Sequence, residues 1–80
     1  MQATDRTEPG KQTLGEALRS LRRSRGLPQR DLLKPLHLGS HSAIVDFEAG
    51  RRIPPAAVIA AYEQFFGLAS GTLRSLRTRR

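Results

Sequence analysis

Between Leu27 and Arg52 the chain reads LPQRDLLKPLHLGSHSAIVDFEAGRR, and this stretch constrains the fold more than any other. It holds two short apolar-periodic segments, parted by a glycine break at Gly39 and closed by Gly50. The first runs from Gln29 to about Leu36, with Leu32, Leu33 and Leu36 at helical spacing. The second runs from His41 to Ala49, with Ile44 and Phe47 inward and polar residues between them. The pattern predicts two short helices joined by a tight, glycine-containing turn. The chain before Leu27 reads as a supporting helix, and the chain after Arg52 reads as a helical clamp.

The flanks have their own signals. Thr13-Leu14-Gly15-Glu16 matches a capping box, in which a Thr hydroxyl takes an orphan amide and a Glu three residues on reaches back. Leu14, Leu18 and Leu21 lie at i, i+4, i+7 as one buried stripe. Arg22, Arg23 and Arg25 load the last turn, where cations suit the helix dipole, and Gly26 fits a left-handed stop. In the second segment Pro35 cannot continue a regular helix without losing the bond to the Asp31 carbonyl. That helix is therefore expected to end or kink near Leu33 to Lys34. His37-Leu38-Gly39 is read as the turn, Leu38 is expected to tuck into the core, and Ser40 is the N-cap candidate of the third helix. Ile53-Pro54-Pro55 connects to a fourth helix whose Val58, Ile59, Tyr62, Phe65 and Phe66 form a wide apolar face, read as core. Gly67 ends it. A short last helix starts at Ala69 or Ser70, with Leu73 and Leu76 inward.

Composition bounds what such a chain can be. Eighty residues make one domain at most, with a small margin of stability. There is no cysteine, so neither a disulfide nor a thiolate metal site supplements the core. No apolar run approaches the roughly 18 residues of a membrane span, and the polar start lacks the apolar middle of a secretory signal. Fourteen Lys and Arg against seven Asp and Glu give a net charge of +7, which points to nucleic acid or an anionic membrane surface. The arginines are dispersed over several helices instead of lining one amphipathic helix, which argues against the membrane. Residues 1–12 are read as a disordered leader, a solvated tail in preference to a flexible arm that sets Arg6 and Lys11 on a phosphate backbone. Residues 13–77 are read as the folded domain and 78–80 as a basic tail.

Catalysis finds little footing. Ser40, His41 and Ser42 are adjacent in sequence, but adjacency is not convergence on a reacting atom. His37 and His41 have i, i+4 spacing, but a break at Gly39 separates them, and two histidines make a poor metal site. No enzyme, metal or cofactor role is assigned. Nucleic-acid binding fits better. A helix N-terminus with small polar side chains can enter the major groove, and flanking arginines supply phosphate contacts.

With those residues in view, the stretch from Leu14 to about Leu76 resembles the lambda-repressor-like, or XRE-family, helix-turn-helix domains. The carriers are Leu18-x-x-Leu21-Arg22, Gly26-Leu27-x-Gln29-x-x-Leu32, Ile44-x-x-Phe47-Glu48-x-Gly50-Arg51-Arg52-x-Pro54, and Phe66-Gly67-Leu68. The resemblance implies an all-α, compact bundle of about five helices whose third reads DNA. It implies that His41, Ser42, Val45 and Asp46 face bases, with Val45 available to a thymine methyl. It implies phosphate contacts from Gln29, Ser40, Arg51 and Arg52, and a structural ion pair between Arg22 and Glu48.

Three departures stand out. Pro28 replaces the usual Ser or Thr cap. The Gln29-to-Glu48 spacing is one residue longer than the commonest form, with the extra residue at Gly39 or near Pro35. Asp46 sets a negative charge toward DNA, where it either selects a cytosine amino group or marks a copy with reduced DNA affinity. The expected function is a sequence-specific DNA-binding transcriptional regulator, or the N-terminal module of one, cytoplasmic and nucleoid-associated. Its partner is double-stranded DNA, and symmetric half-sites would require a homodimer. The alternative is a protein-interaction module of the same fold, with weak or no DNA binding and a further domain or protein as partner.

Overall fold

The computed structural model describes residues 13–77. The expected leader, with Arg6 and Lys11, and the expected tail at 78–80 lie outside the described residues. Along the described residues run α1 (Leu14–Ser24), a 3₁₀ segment (Gln29–Leu32), α2 (His41–Ala49), α3 (Ala56–Phe65) and α4 (Arg74–Arg77). The domain is all-helical over that range, with four α-helices and one 3₁₀ segment where about five helices were expected.

Helix α1 starts as its sequence dictates. The Glu16 amide donates to Thr13 Oγ1 at 3.2 Å, and the Thr13 amide donates to Glu16 Oε1 at 3.1 Å. These reciprocal bonds satisfy two otherwise orphaned donors. Leu18 and Ala17 are buried, while Leu14 and Leu21 pack half-buried against the core. The core itself gathers Leu18, Leu32, Leu36, Ile44, Phe47, Ile59, Tyr62, Phe66 and Leu73 from helices, the 3₁₀ segment and the turns between them. Gly15 brings α1 against the end of α2. A Cβ there would lie 2.7 Å from the Glu48 carbonyl oxygen and 2.9 Å from that of Phe47, so no larger residue fits without parting the two helices.

The second helix is short, as expected of a helix that ends near Leu33 to Lys34, but it is tighter than an α-helix. Only Gln29–Leu32 is helical, as one 3₁₀ turn, and turns carry the chain on to His37. The reason lies in Pro35, which has no N–H to offer the Asp31 carbonyl. The Leu36 amide still donates to the Leu32 carbonyl at 3.0 Å, which keeps Leu32 and Leu36 on one buried face.

The turn also differs from the glycine break expected at Gly39. The left-handed residue is His37, with φ 58°. Its amide donates to the Lys34 carbonyl at 3.0 Å, and the Leu38 amide donates to the Leu33 carbonyl at 2.8 Å. This is the paired-bond stop that normally places glycine in the left-handed position. The chain makes the same stop at Gly26, Gly50 and Gly67. At His37 an L side chain is held there instead, a conformation that costs roughly 1–2 kcal/mol.

Two further expectations shift. The last helix begins at Arg74 and not at Ala69 or Ser70. Phe65 is 37% exposed, not inward. The buried stripe of α3 is Ile59, Tyr62, Glu63 and Phe66, an arc that turns Phe65 to the edge, where its ring meets Phe66 edge-on at 5.0 Å. Glu63 takes the inward position because three backbone amides need it. Its Oε2 accepts from Leu73 N at 2.7 Å and Arg74 N at 3.3 Å, and its Oε1 accepts from Gly71 N at 3.2 Å.

Two outcomes are expected. His37→Gly should raise stability by about 1 kcal/mol, read as a later urea midpoint at constant slope; an unchanged or earlier midpoint would mean that the added unfolded-state freedom cancels the relief. For Glu63, burial pushes the carboxyl up, but the amides of Gly71, Leu73 and Arg74, with the Arg74 charge, outweigh it and hold the group below the usual 4.5. A carboxyl with a depressed folded value stabilises fully above its unfolded value, and the gain is lost as pH falls through the folded one. Acid should therefore destabilise the wild type progressively below the ordinary glutamate value. Glu63→Gln should lower the melting temperature at neutral pH and flatten that acid limb.

Candidate nucleic-acid interface

Helix α2 divides cleanly into two faces. Ala43, Ile44, Phe47 and Glu48 are buried. Ser40, His41, Ser42 and Ala49 differ from one another: the first three are exposed at the tip of the helix, while Ala49 is exposed at its far end. Val45 and Asp46 between them are half-buried. Helical geometry sets His41 and Val45, and likewise Ser42, Asp46 and Ala49, one above the other. Ser40 occupies the N-cap position with extended backbone angles, but its hydroxyl makes no capping bond. It pairs with the Ser42 hydroxyl at 2.7 Å, so two hydroxyls stand together at the tip of the helix.

Beneath that tip lies a polar network that starts in the core. The buried Glu48 carboxylate receives Arg22 through two bonds, Nε to Oε2 at 2.7 Å and Nη2 to Oε1 at 3.0 Å. The fork geometry is the strong form of this pairing. Arg22 spends a third donor, Nη1, on the Leu27 carbonyl at 2.8 Å, fixing the chain as it leaves α1. The hydrogen bond to Glu48 raises the Arg22 pKa; burial opposes it, and the charges of Glu48 and Tyr62 add to it. Arg19 adds a longer contact, Nε to Glu48 Oε1 at 3.8 Å. Gln29 joins the same carboxylate, Nε2 to Oε1 at 3.1 Å, and its own Oε1 lies 3.1 Å from His41 Nε2. A continuous line therefore runs from α1 through the buried carboxylate and the 3₁₀ segment to the exposed first residue of α2.

Tyr62 underlies the network. Its hydroxyl is buried and has no hydrogen-bond partner among the described residues. Burial pushes its pKa well up, the Glu48 charge pushes it further, and Arg22 partly offsets both.

At the other end of α2 the charges are arranged differently. Arg51 Nε donates to Asp46 Oδ1 at 3.0 Å, and Arg52 Nη1 lies 3.6 Å from Asp46 Oδ2. The Arg52 guanidinium also sits over the Phe47 ring, 5.4 Å from its centroid. Both arginine side chains remain more than half exposed, at 63% and 54%. Asp46 thus gathers two cations beside the outer face of the helix.

The family model described as "Helix-turn-helix domain" matches residues 13–77. The chain belongs to the helix-turn-helix domain family. No curated protein and no solved structure matches it significantly. In this helix-turn-helix domain the 3₁₀ segment with its adjoining turns stands as the first element of the motif, and α2 stands as the second. No helix among the described residues is long and apolar enough to cross a membrane. Among the described residues no cluster of three or more His, Cys, Asp or Glu could hold a metal ion.

Several residues that set this geometry carried no functional signal in the sequence. Gly15 sat inside a capping box that already accounted for its neighbours. The Gln29 link to Glu48 spans 19 positions and has no local signature. Glu63 was findable, because it falls on the same helical stripe as Ile59, Tyr62 and Phe66.

Glu48→Ala should be strongly destabilising, since it leaves the Arg22 guanidinium without its carboxylate in a largely buried setting. About 3 kcal/mol or more is expected, against under about 1 kcal/mol for Asp46→Ala at the exposed cluster. Paired urea titrations check this, and equal losses at the two positions would contradict it.

Proposed function

We propose that this chain is a sequence-specific DNA-binding transcriptional regulator of lambda-repressor-like, XRE type, or the N-terminal DNA-binding module of one. In this reading α2 enters the major groove. His41, Ser42, Val45 and Asp46 meet base edges, with Val45 against a thymine methyl. Ser40, Gln29, Arg51 and Arg52 contact the backbone. The observation that carries the reading is the division of α2 into a locked inner face and an open outer one. The buried Glu48 fixes the helix from behind, while His41 and Ser42 stand exposed and two half-free arginines lie just past its end. A groove-reading helix needs that combination of rigidity behind and polar reach in front.

The charge of +7 supports the same reading through long-range attraction to a polyanion. Symmetric half-sites would be read by two copies of the chain, and such a regulator would work in the cytoplasm on the nucleoid. One observation favours the second reading, a protein-binding module of this fold. Asp46 neutralises part of the charge of Arg51 and Arg52, which are the residues that a phosphate backbone would use.

A gel-shift series on random and genomic duplexes, repeated across salt, separates the two. Sequence-selective retention supports the regulator. Absence of binding even at low salt supports the protein-binding module. Under the first reading, Arg51→Ala should weaken binding to every sequence alike and reduce the slope of log K against log salt by about 1. A change in preferred sequence instead would remove Arg51 from the phosphate contacts.

A further inference from the structure

Asp46 anchors the chain that follows α2 in two ways. Its carbonyl accepts the amides of Arg51 at 2.9 Å and Arg52 at 3.4 Å. Its carboxylate accepts Arg51 Nε on Oδ1 at 3.0 Å, and its Oδ2 lies 3.6 Å from Arg52 Nη1. Both oxygens therefore face the two guanidinium groups assigned to phosphate. Because Glu48 fixes α2 from behind, the carboxylate moves only with the helix and stays beside both arginines. The placement is selective. Arg23, Arg30 and Lys34 are exposed and make no ion pair among the described residues. An acid that only trimmed the net charge of +7 could stand beside any of them. This one stands beside the two cations that flank the outer face of α2.

We propose that Asp46 is a specificity-determining residue that acts through Arg51 and Arg52, holding down attraction to duplexes in general and releasing it at a matched site. The inference rests on the DNA-reading function proposed above and names how that site is regulated. On an unmatched duplex the contact is carried by phosphates, and the carboxylate remains with the arginines, where its charge offsets one of theirs. On a matched duplex α2 seats in the major groove and Asp46 accepts from a donor on a base edge. Its charge is then satisfied by the bases, and both guanidinium groups turn fully to phosphate. Every base pair carries both a donor and acceptors on that edge, so the match is one of position. Where a pair is reversed or replaced, an acceptor stands opposite the carboxylate, the exchange does not proceed, and the repulsion discriminates against that sequence.

Binding of the full chain to two duplexes tests this. One is selected by the wild type from a random pool, the other is its scrambled version, and each is titrated across salt. Asp46→Asn keeps the size of the side chain and an oxygen acceptor for Arg51 Nε, but removes the charge. It should tighten the scrambled duplex about eightfold at about 0.1 M salt, the effect of one further neutralised phosphate, and steepen log K against log salt by about 0.9. At the selected duplex the loss of a charged contact to the base edge offsets that gain, so affinity should change less than about twofold. The ratio of the two affinities should fall accordingly. In an Arg51→Gln, Arg52→Gln background, where the glutamine stem still covers the Phe47 ring that Arg52 overlies, Asp46→Asn should change binding of the scrambled duplex less than about twofold.

Equal tightening of both duplexes overturns the specificity role. The same tightening in the double-glutamine background overturns action through the arginines, since the carboxylate would then repel phosphates by itself. Unchanged binding of the scrambled duplex by Asp46→Asn overturns both. All three results leave DNA reading intact, because the wild type still retains its selected duplex. A pool with no enrichment overturns the DNA-reading function itself, and the role of Asp46 falls with it.

Discussion

The structure depends on how a buried carboxylate is satisfied. Glu48 is only 4% exposed, and an ionised group taken out of water needs both a counter-charge and hydrogen bonds to its remaining lone pairs. Arg22 supplies the charge in fork geometry, and Gln29 supplies a further donor. These partners come from α1 and the 3₁₀ segment, so satisfying one carboxylate fixes three elements at once. Gly15 then sets the distance, because the α1 backbone rests against the carbonyls of Phe47 and Glu48 with no room for a side chain. A helix of nine residues has little stability of its own in water. Its order comes from this clamp and from Ile44 and Phe47 in the core.

The clamp also explains the shape of the outer face. Every strong polar group on the inner side of α2 is spoken for, so what remains outside is a sparse set: the hydroxyls of Ser40 and Ser42, the imidazole of His41, the carboxylate of Asp46, and the aliphatic Val45 and Ala49. Cationic charge is kept off the helix itself and collected after it, on Arg51 and Arg52. Asp46 holds those two guanidinium groups in place and weakens their field. Against a polyanion the two effects oppose each other: phosphates must compete with an exposed carboxylate, and exposed ion pairs of this kind are weak.

Much of this was legible in the sequence, and the reasons are local. The limits of α2, His41 to Ala49, stem from a polar start and a left-handed stop at Gly50. The capping box at Thr13 and the buried Leu18, Ile44, Phe47 and Tyr62 stem from short-range chemistry and helical period. What escaped was set by tertiary demand. His37 adopts a left-handed conformation that its side chain disfavours because Leu33 and Leu38 must close a stop that carries the chain to Ser40. Gly39, which looked like the natural hinge, has no positive φ. Phe65 reads as core by helical spacing, but Glu63 claims the inward arc because distant amides at Gly71, Leu73 and Arg74 require an acceptor. For Gln29 the sequence suggested only a phosphate contact; its side chain also bonds Glu48 and lies 3.1 Å from His41 Nε2, through partners no local pattern connects.

Glu48 and Glu63 show two ways to bury a carboxylate, and the difference decides what each can transmit. Glu63 is satisfied by backbone amides near its own end of the fold, so its negative charge ends in fixed main chain and organises the turn before α4. Glu48 is satisfied by side chains, and one of them, Gln29, has a second functional end that reaches the surface. An amide held at its nitrogen by Glu48 turns its oxygen toward His41 Nε2. Backbone satisfaction would have left no tie between the buried carboxylate and the exposed first residue of α2. The side-chain solution links the core to the chemistry of the helix tip, and that link gives a small domain a defined hydrogen-bonding face without any additional element to hold it.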